Sequence, residues 1–167
     1  INHFYMIMDF DLKKTNSLKV RVRVCGLHLT KQGILLLKHE GIGKNGFLWS
    51  PPGGGIESNE NARDALVREF KEETQLDISV EDFCFINEYL DKRVHAVELF
   101  FTVRVIGGRL ELGQDPELKK QILTKADYLS FEYVNQLNTL NKHNAFQFCS
   151  DAAQISKLRG YYFFDNM

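Results

Sequence analysis

The sequence predicts a single α+β domain, and three observations carry that prediction. Residues 18–30 and 94–106 alternate apolar and polar side chains with a period of two, the pattern of half-buried strands. A stretch beginning near Ser58 carries apolar side chains at helical spacing. Strands and helices interleave without βαβ regularity, and no repeat, low-complexity run or linker divides the 167 residues.

Residues 1–17 join an apolar run, HFYMIM, to a polar connection, and read as an appendage for packing or for forming a homodimer. In residues 18–30, Leu18, Val20, Val22 and Val24 share one face of a strand, and Arg21 and Arg23 share the other. Those arginines are candidates for contacts to a phosphate or a base, or are simply solvated. Lys31, Gln32 and Gly33 make a turn into a second strand over residues 34–39. Residues 41–45 form a loop, and Phe47, Leu48 and Trp49 run into Ser50-Pro51-Pro52, with Trp49 expected in the core.

Pro51, Pro52 and the glycines Gly53, Gly54 and Gly55 cannot continue a regular element, and make a bent loop whose backbone can approach another group closely. The helix follows, with Ser58 or Asn59 as its expected N-cap. On a wheel of about 100° per residue, Ala62, Ala65, Leu66 and Phe70 share one sector, and Glu69 and Glu73 fall inside it with Glu72 at its edge. Like charges at this spacing each cost roughly 0.2–0.5 kcal/mol even when exposed, and burial adds to that. Arg68 reaches Glu72 across one turn but cannot neutralise Glu69, Glu72 and Glu73 together. A divalent cation can, and hard oxygen ligands suit Mg²⁺ or Mn²⁺.

Beyond the helix, residues 76–80 and 83–90 read as strands with Glu81-Asp82 at a turn between them, and residues 91–93 as a polar turn. Within 94–106, Glu98 is a lone acid beside Phe100 on a largely apolar strand; both are candidates for lining a substrate groove, or else Glu98 faces solvent. His95, among apolar residues, reads as a satisfied core histidine. Residues 109–112 read as a short strand and 113–117 as a loop. A closing strand over 125–131, a helix over 132–140, and a C-terminal helix and tail over 145–167 complete the chain; its long helix spans 145–158, and Tyr161 to Phe164 form an aromatic strand or tail.

Hydrophobic residues make up 44% and charged residues 26%, as expected for an ordinary globular protein. A net charge of −1 gives no field for duplex nucleic acid. Cys25, Cys84 and Cys149 lack metal or disulfide spacing and fit a reducing cytoplasm. No apolar run has transmembrane length, so no membrane partner is expected.

The stretch Gly54, Glu60 and Arg68-Glu69-Phe70-Lys71-Glu72-Glu73-Thr74-Gln75-Leu76 resembles the signature of the Nudix hydrolases, of the MutT-like or ADP-ribose pyrophosphatase-like kind. One position departs: Gln75 stands where that family usually has a helix-ending glycine. The resemblance implies an α/β/α sandwich with a mixed, curved sheet between helices. It implies hydrolysis of a nucleoside diphosphate linked to a further group, by attack of water at phosphorus. Glu69, Glu72 and Glu73 would hold Mg²⁺ or Mn²⁺ with help from the Gly53 carbonyl. Arg68 would orient the glutamates, Glu60 would brace loop against helix, and Gly54 would lie against substrate. A further acid is expected in the region of the 113–117 loop, with Glu117 first and Glu111 and Asp115 as competitors. The general base is left among Glu69, Glu98 and Glu117. The alternative is a non-catalytic module of the same fold that binds a nucleotide to sense it.

Overall fold

The computed structural model describes residues 19–113 and 122–165. Two sheets form its centre. In the first, β1 (Val20–Leu27) runs parallel to β6 (His95–Gly108), β6 pairs antiparallel with β5 (Leu76–Leu90), and β8 (Gly160–Asp165) lies parallel at the far edge of β5. In the second, β3 (Gly33–Glu40) is central. It pairs with β7 (Leu123–Leu129) along one side and with β2 (Leu29–Thr30) and β4 (Phe47–Ser50) along the other, all antiparallel.

Two clusters of apolar side chains cover these sheets on opposite faces. Val24, Leu35, Leu76, Phe101 and Val103 pack against Ala65, Leu66 and Phe70 of α1 (Ala62–Thr74). Cys25, Leu27, Ile34, Leu36, Phe85 and Phe100 pack instead against Val134 of α2 (Phe131–Gln136), Phe146, and Ile155 of α3 (Ala152–Lys157). Successive residues of β3 alternate between the two clusters, which is why its Ile-Leu-Leu-Leu run is wholly buried. The expected α/β/α layering follows from that. Each fully buried Leu or Phe contributes about 1.5–3 kcal/mol of transfer free energy. Gly26 lets α1 settle onto the sheet, because a Cβ there would meet the Phe70 ring.

Several elements differ from the sequence expectation. The N-cap of α1 is Asn61, not Ser58 or Asn59: its side chain accepts from the amides of Arg63 (2.9 Å) and Asp64 (3.1 Å), while Asn59 takes a left-handed turn conformation. Residues 76–90 form one irregular strand rather than two. Arg63 of α1 donates to the carbonyls of Val80 and Glu81, and Thr102 accepts from the Asp82 amide, so side chains satisfy the backbone where the ladder slips. Residues 109–112 form no strand. Instead the amides of Glu111 and of the following Gly113 donate to the last carbonyls of α1, those of Thr74 and Glu73. The helix expected over 132–140 ends at Gln136, with a 3₁₀ turn at Thr139–Asn141. The helix expected over 145–158 is a 3₁₀ turn, Asn144–Gln147, followed by α3, because the Asp151 side chain caps a new start at the Gln154 amide. Val20 and Val22 on β1 are exposed; burial begins only at Val24. Trp49 is buried as expected, and His95 is half-buried against Glu88. No helix among the described residues is long and apolar enough to cross a membrane. The appendage expected over 1–17 lies outside the described residues.

Candidate active site

The glycine loop is laid along the open edge of β1. The Val24 amide donates to Gly54, the Gly26 amide to Pro52, and the Ile56 amide to the Val22 carbonyl. Such close docking leaves no room for side chains. Gly53 has φ of +148°, and a Cβ there would overlap the Val24 carbonyl. A Cβ on Gly54 would fall on the Glu69 carboxylate.

The loop is tied to α1 by charge. Arg68 donates to Glu60 at 2.8 Å, to Glu69 at 3.0 Å, to Glu72 at 3.1 Å and to the Gly55 carbonyl at 3.0 Å. Glu60 also accepts from the Glu57 amide at 2.8 Å, so it links the loop to the helix. Arg68 and the Glu57 amide hold the Glu60 carboxyl below its ordinary value, and Glu60 in turn raises the Arg68 guanidinium. On the inner side, Glu73 accepts from the Gly53 amide at 2.9 Å.

Glu69 and Glu73 are buried at 5% and 3% exposure, as their inward place on the wheel implies. Burial pushes the Glu69 carboxyl up to about 7, against the pull of Arg68. The donors that converge on the glycine loop are therefore carboxylate and carbonyl oxygens, with Arg68 bridging three of the four acids. No three His, Cys, Asp or Glu side chains among the described residues form a ready-made metal cage. An all-oxygen, negatively charged and partly open site nevertheless fits Mg²⁺ or Mn²⁺, which keep several waters and complete their shell with phosphate oxygens.

The structure thus gathers Gly53, Gly54, Glu60, Arg68, Glu69, Glu72 and Glu73 at one loop-to-helix junction. Arg23 joins them: its Nη2 donates to the Gly53 carbonyl at 3.2 Å. Arg21, two residues earlier on the same face of β1, is exposed. Two expectations need correction. Phe100 is fully buried, stacked on Phe85 at 4.4 Å between centroids, and presents no surface to a ligand. Glu98 neither faces solvent nor lines an open groove; it is 8% exposed, within 2.8 Å of both His143 and Asn87, and 3.6 Å from Arg23. Glu117 and Asp115 lie outside the described residues. Glu111 is exposed and pairs loosely with Arg109 at 3.9 Å. Gly113, just before residues 114–121, packs its backbone on the carbonyls of Glu72 and Glu73.

Sequence reasoning missed Asn87 and His143. A signal existed for Asn87, since a lone amide among the aromatics of FCFINEYL is unusual inside a strand. His143 gave none, because its partner is 45 residues away. A separate open cleft, lined by Asn135, Lys142, Phe146 and Gln154 among others, contains none of these acids.

The NUDIX domain family matches residues 18–146. The chain belongs to that family. An ADP-ribose pyrophosphatase of Methanocaldococcus jannaschii is 36% identical over 113 residues, a match covering 66% of this chain and 66% of the relative. Among solved structures, a NUDIX hydrolase from Nitrosomonas europaea is similar with a TM-score of 0.69 at 17% identity, covering 84% of this chain and 93% of the other. An ADP-ribose pyrophosphatase from Streptococcus suis is similar with a TM-score of 0.58 at 20% identity, covering 86% of this chain and 98% of that one. These structural likenesses establish the Nudix fold.

Proposed function

We propose that this Nudix chain is a metal-dependent pyrophosphohydrolase acting on a nucleoside diphosphate linked to a further group, with ADP-ribose as the first substrate to test. The observation that carries the reading is the set Glu69, Glu72 and Glu73 on one helix face beside a glycine loop, Glu69 and Glu72 held by Arg68 and Glu73 by the Gly53 amide. The activity of the Methanocaldococcus relative supports the choice of ADP-ribose.

Glu69, Glu72 and Glu73 would hold Mg²⁺ or Mn²⁺, with the Gly53 carbonyl as a further oxygen. When bound, the cation neutralises phosphate charge and lowers the pKa of water. The chain's own residues do the rest. Gly54, without a side chain, leaves the Glu69 carboxylate facing the loop. Arg68 and Glu60 keep loop and helix in one geometry. Arg23 and Arg21 supply positive charge on the β1 side for the diphosphate. A water oxygen forms the new bond to one phosphorus, the bridging P–O bond breaks, and the displaced phosphate leaves with its electron pair. The water's proton passes to a carboxylate. Glu69, with its carboxyl near neutrality, and Glu117 remain candidates for that base; the donors around Glu98 remove it from the role.

Turnover of ADP-ribose, nucleoside triphosphates, sugar nucleotides and dinucleoside polyphosphates should be followed with Mg²⁺ and with chelator. Mg²⁺-dependent release of a nucleoside monophosphate from one of these is expected. Saturable nucleotide binding with no turnover of any compound would overturn the enzyme reading in favour of a sensor.

A further inference from the structure

The Gly53 peptide is held at both ends. Its amide donates to Glu73 at 2.9 Å, and its carbonyl accepts from Arg23 at 3.2 Å. Arg23 is itself held from behind by Glu98, at 3.6 Å from its Nε. Glu98 Oε2 accepts from His143 Nε2 and from Asn87 Nδ2, both at 2.8 Å.

This network has one consistent assignment of protons. His143 Nδ1 accepts from the Ala145 amide at 3.2 Å, so Nε2 carries a ring proton and donates to Glu98. Glu98 Oε2 faces two donors, and Oε1 faces the Arg23 guanidinium. A proton on either oxygen would point at another donor, so Glu98 is a carboxylate. Asn87 must then turn its nitrogen to Glu98. That nitrogen also donates to Asn144 at 3.3 Å, and the buried Asn87 Oδ1 and Asn144 Nδ2 have no hydrogen-bond partner among the described residues. A core that tolerates two orphaned polar atoms to keep one acid ionised is not built for packing alone, since apolar replacements of such groups often stabilise. The path from this acid to the reactive loop is Arg23.

We propose that Glu98 is a positioning residue: fixed by His143 and Asn87, it holds Arg23 against the Gly53 carbonyl and thereby sets the orientation of the Gly53 peptide beside Glu69 and Glu73. The 3₁₀ turn Asn144–Gln147, capped by His143, is thus coupled through Glu98 and Arg23 to the glycine loop. The catalytic side of this inference rests on the hydrolase reading, but the geometry can be tested without turnover.

The test is hydrogen exchange of the Gly53 amide, followed by NMR on metal-free protein labelled with ¹⁵N-glycine, in wild type, Arg23→Gln, Glu98→Gln and the double variant. Exchange at Gly53 should accelerate on the order of tenfold in each single variant and no further in the double one, while the Gly26 amide, bonded to Pro52 in the same loop, holds its rate. Acceleration at both amides would mean that the core had merely loosened, and would overturn the proposal. So would unchanged Gly53 exchange in Arg23→Gln, or effects that add in the double variant. Arg23 is partly exposed, so its variant decides the matter even if Glu98→Gln fails to fold. With an active wild type, Glu98→Gln should lower kcat, with any rise in KM reflecting the looser Arg23; a change confined to KM contradicts a positioning role. An inactive wild type would defeat the hydrolase reading while leaving the exchange result to stand.

Discussion

Gln75 ends α1 with φ of +60°, in the left-handed conformation that the expected glycine would adopt, and its amide still bonds to the Lys71 carbonyl at 3.1 Å. The helix therefore terminates as the signature requires, at the cost of a side chain in a disfavoured region. Gln75→Gly should stabilise the protein by about 0.5–1 kcal/mol, read from urea denaturation, and leave the carboxylates in place. Gly54→Ala should do the opposite kind of damage. A methyl group would displace the Glu69 carboxylate, so turnover should fall by about tenfold or more while the melting temperature stays near that of the wild type. Glu98 yields a pH signature. Burial alone would raise its carboxyl, but His143, Arg23 and Asn87 hold it below the ordinary 4.5. Its stabilising contribution is thus present above pH 4.5 and is lost as the pH falls through the lowered native value. Glu98→Gln should flatten the acid limb of the thermal-stability profile below that pH. At this scale the acids of α1 were legible, because a wheel turns Glu69 and Glu73 inward. The partners of Glu98 were not, because they come from β1, β5 and the segment before α3, and no local pattern announces them.

Elements with a strong period were readable in type, and their ends were set by caps that propensity does not resolve. α1 begins at Asn61 because that side chain reaches two free amides, where Ser58 and Asn59 belong to the turn before it. Asn61→Ala should destabilise the protein by about 1 kcal/mol, measured by denaturant midpoint. The same physics split the expected long C-terminal helix, since Asp151 starts α3 afresh after Phe148. On β5, Glu81-Asp82 looked like a turn because polar residues interrupt the apolar pattern. The chain continues as a strand because Arg63 and Thr102 satisfy the backbone there.

For the whole molecule, the layered fold was legible through the signature rather than through strand counting. The doubly buried β3, and neighbouring Phe100 and Phe101 of β6 packed into opposite clusters, then show why one sheet face receives α1 and the other α2 and α3. The site sits where these layers meet: β1 supplies the edge for the glycine loop, α1 supplies the acids, and Arg23 ties both to the opposite core. The central claim is that the inward acids of α1 hold a divalent cation. It is tested most directly by titrating Mn²⁺ into nucleotide-free protein, with free Mn²⁺ followed by EPR, for wild type and Glu73→Gln. The wild type should bind Mn²⁺ saturably, and a folded Glu73→Gln protein should bind it at least about tenfold more weakly. Equal Mn²⁺ affinity in the two proteins would contradict the account.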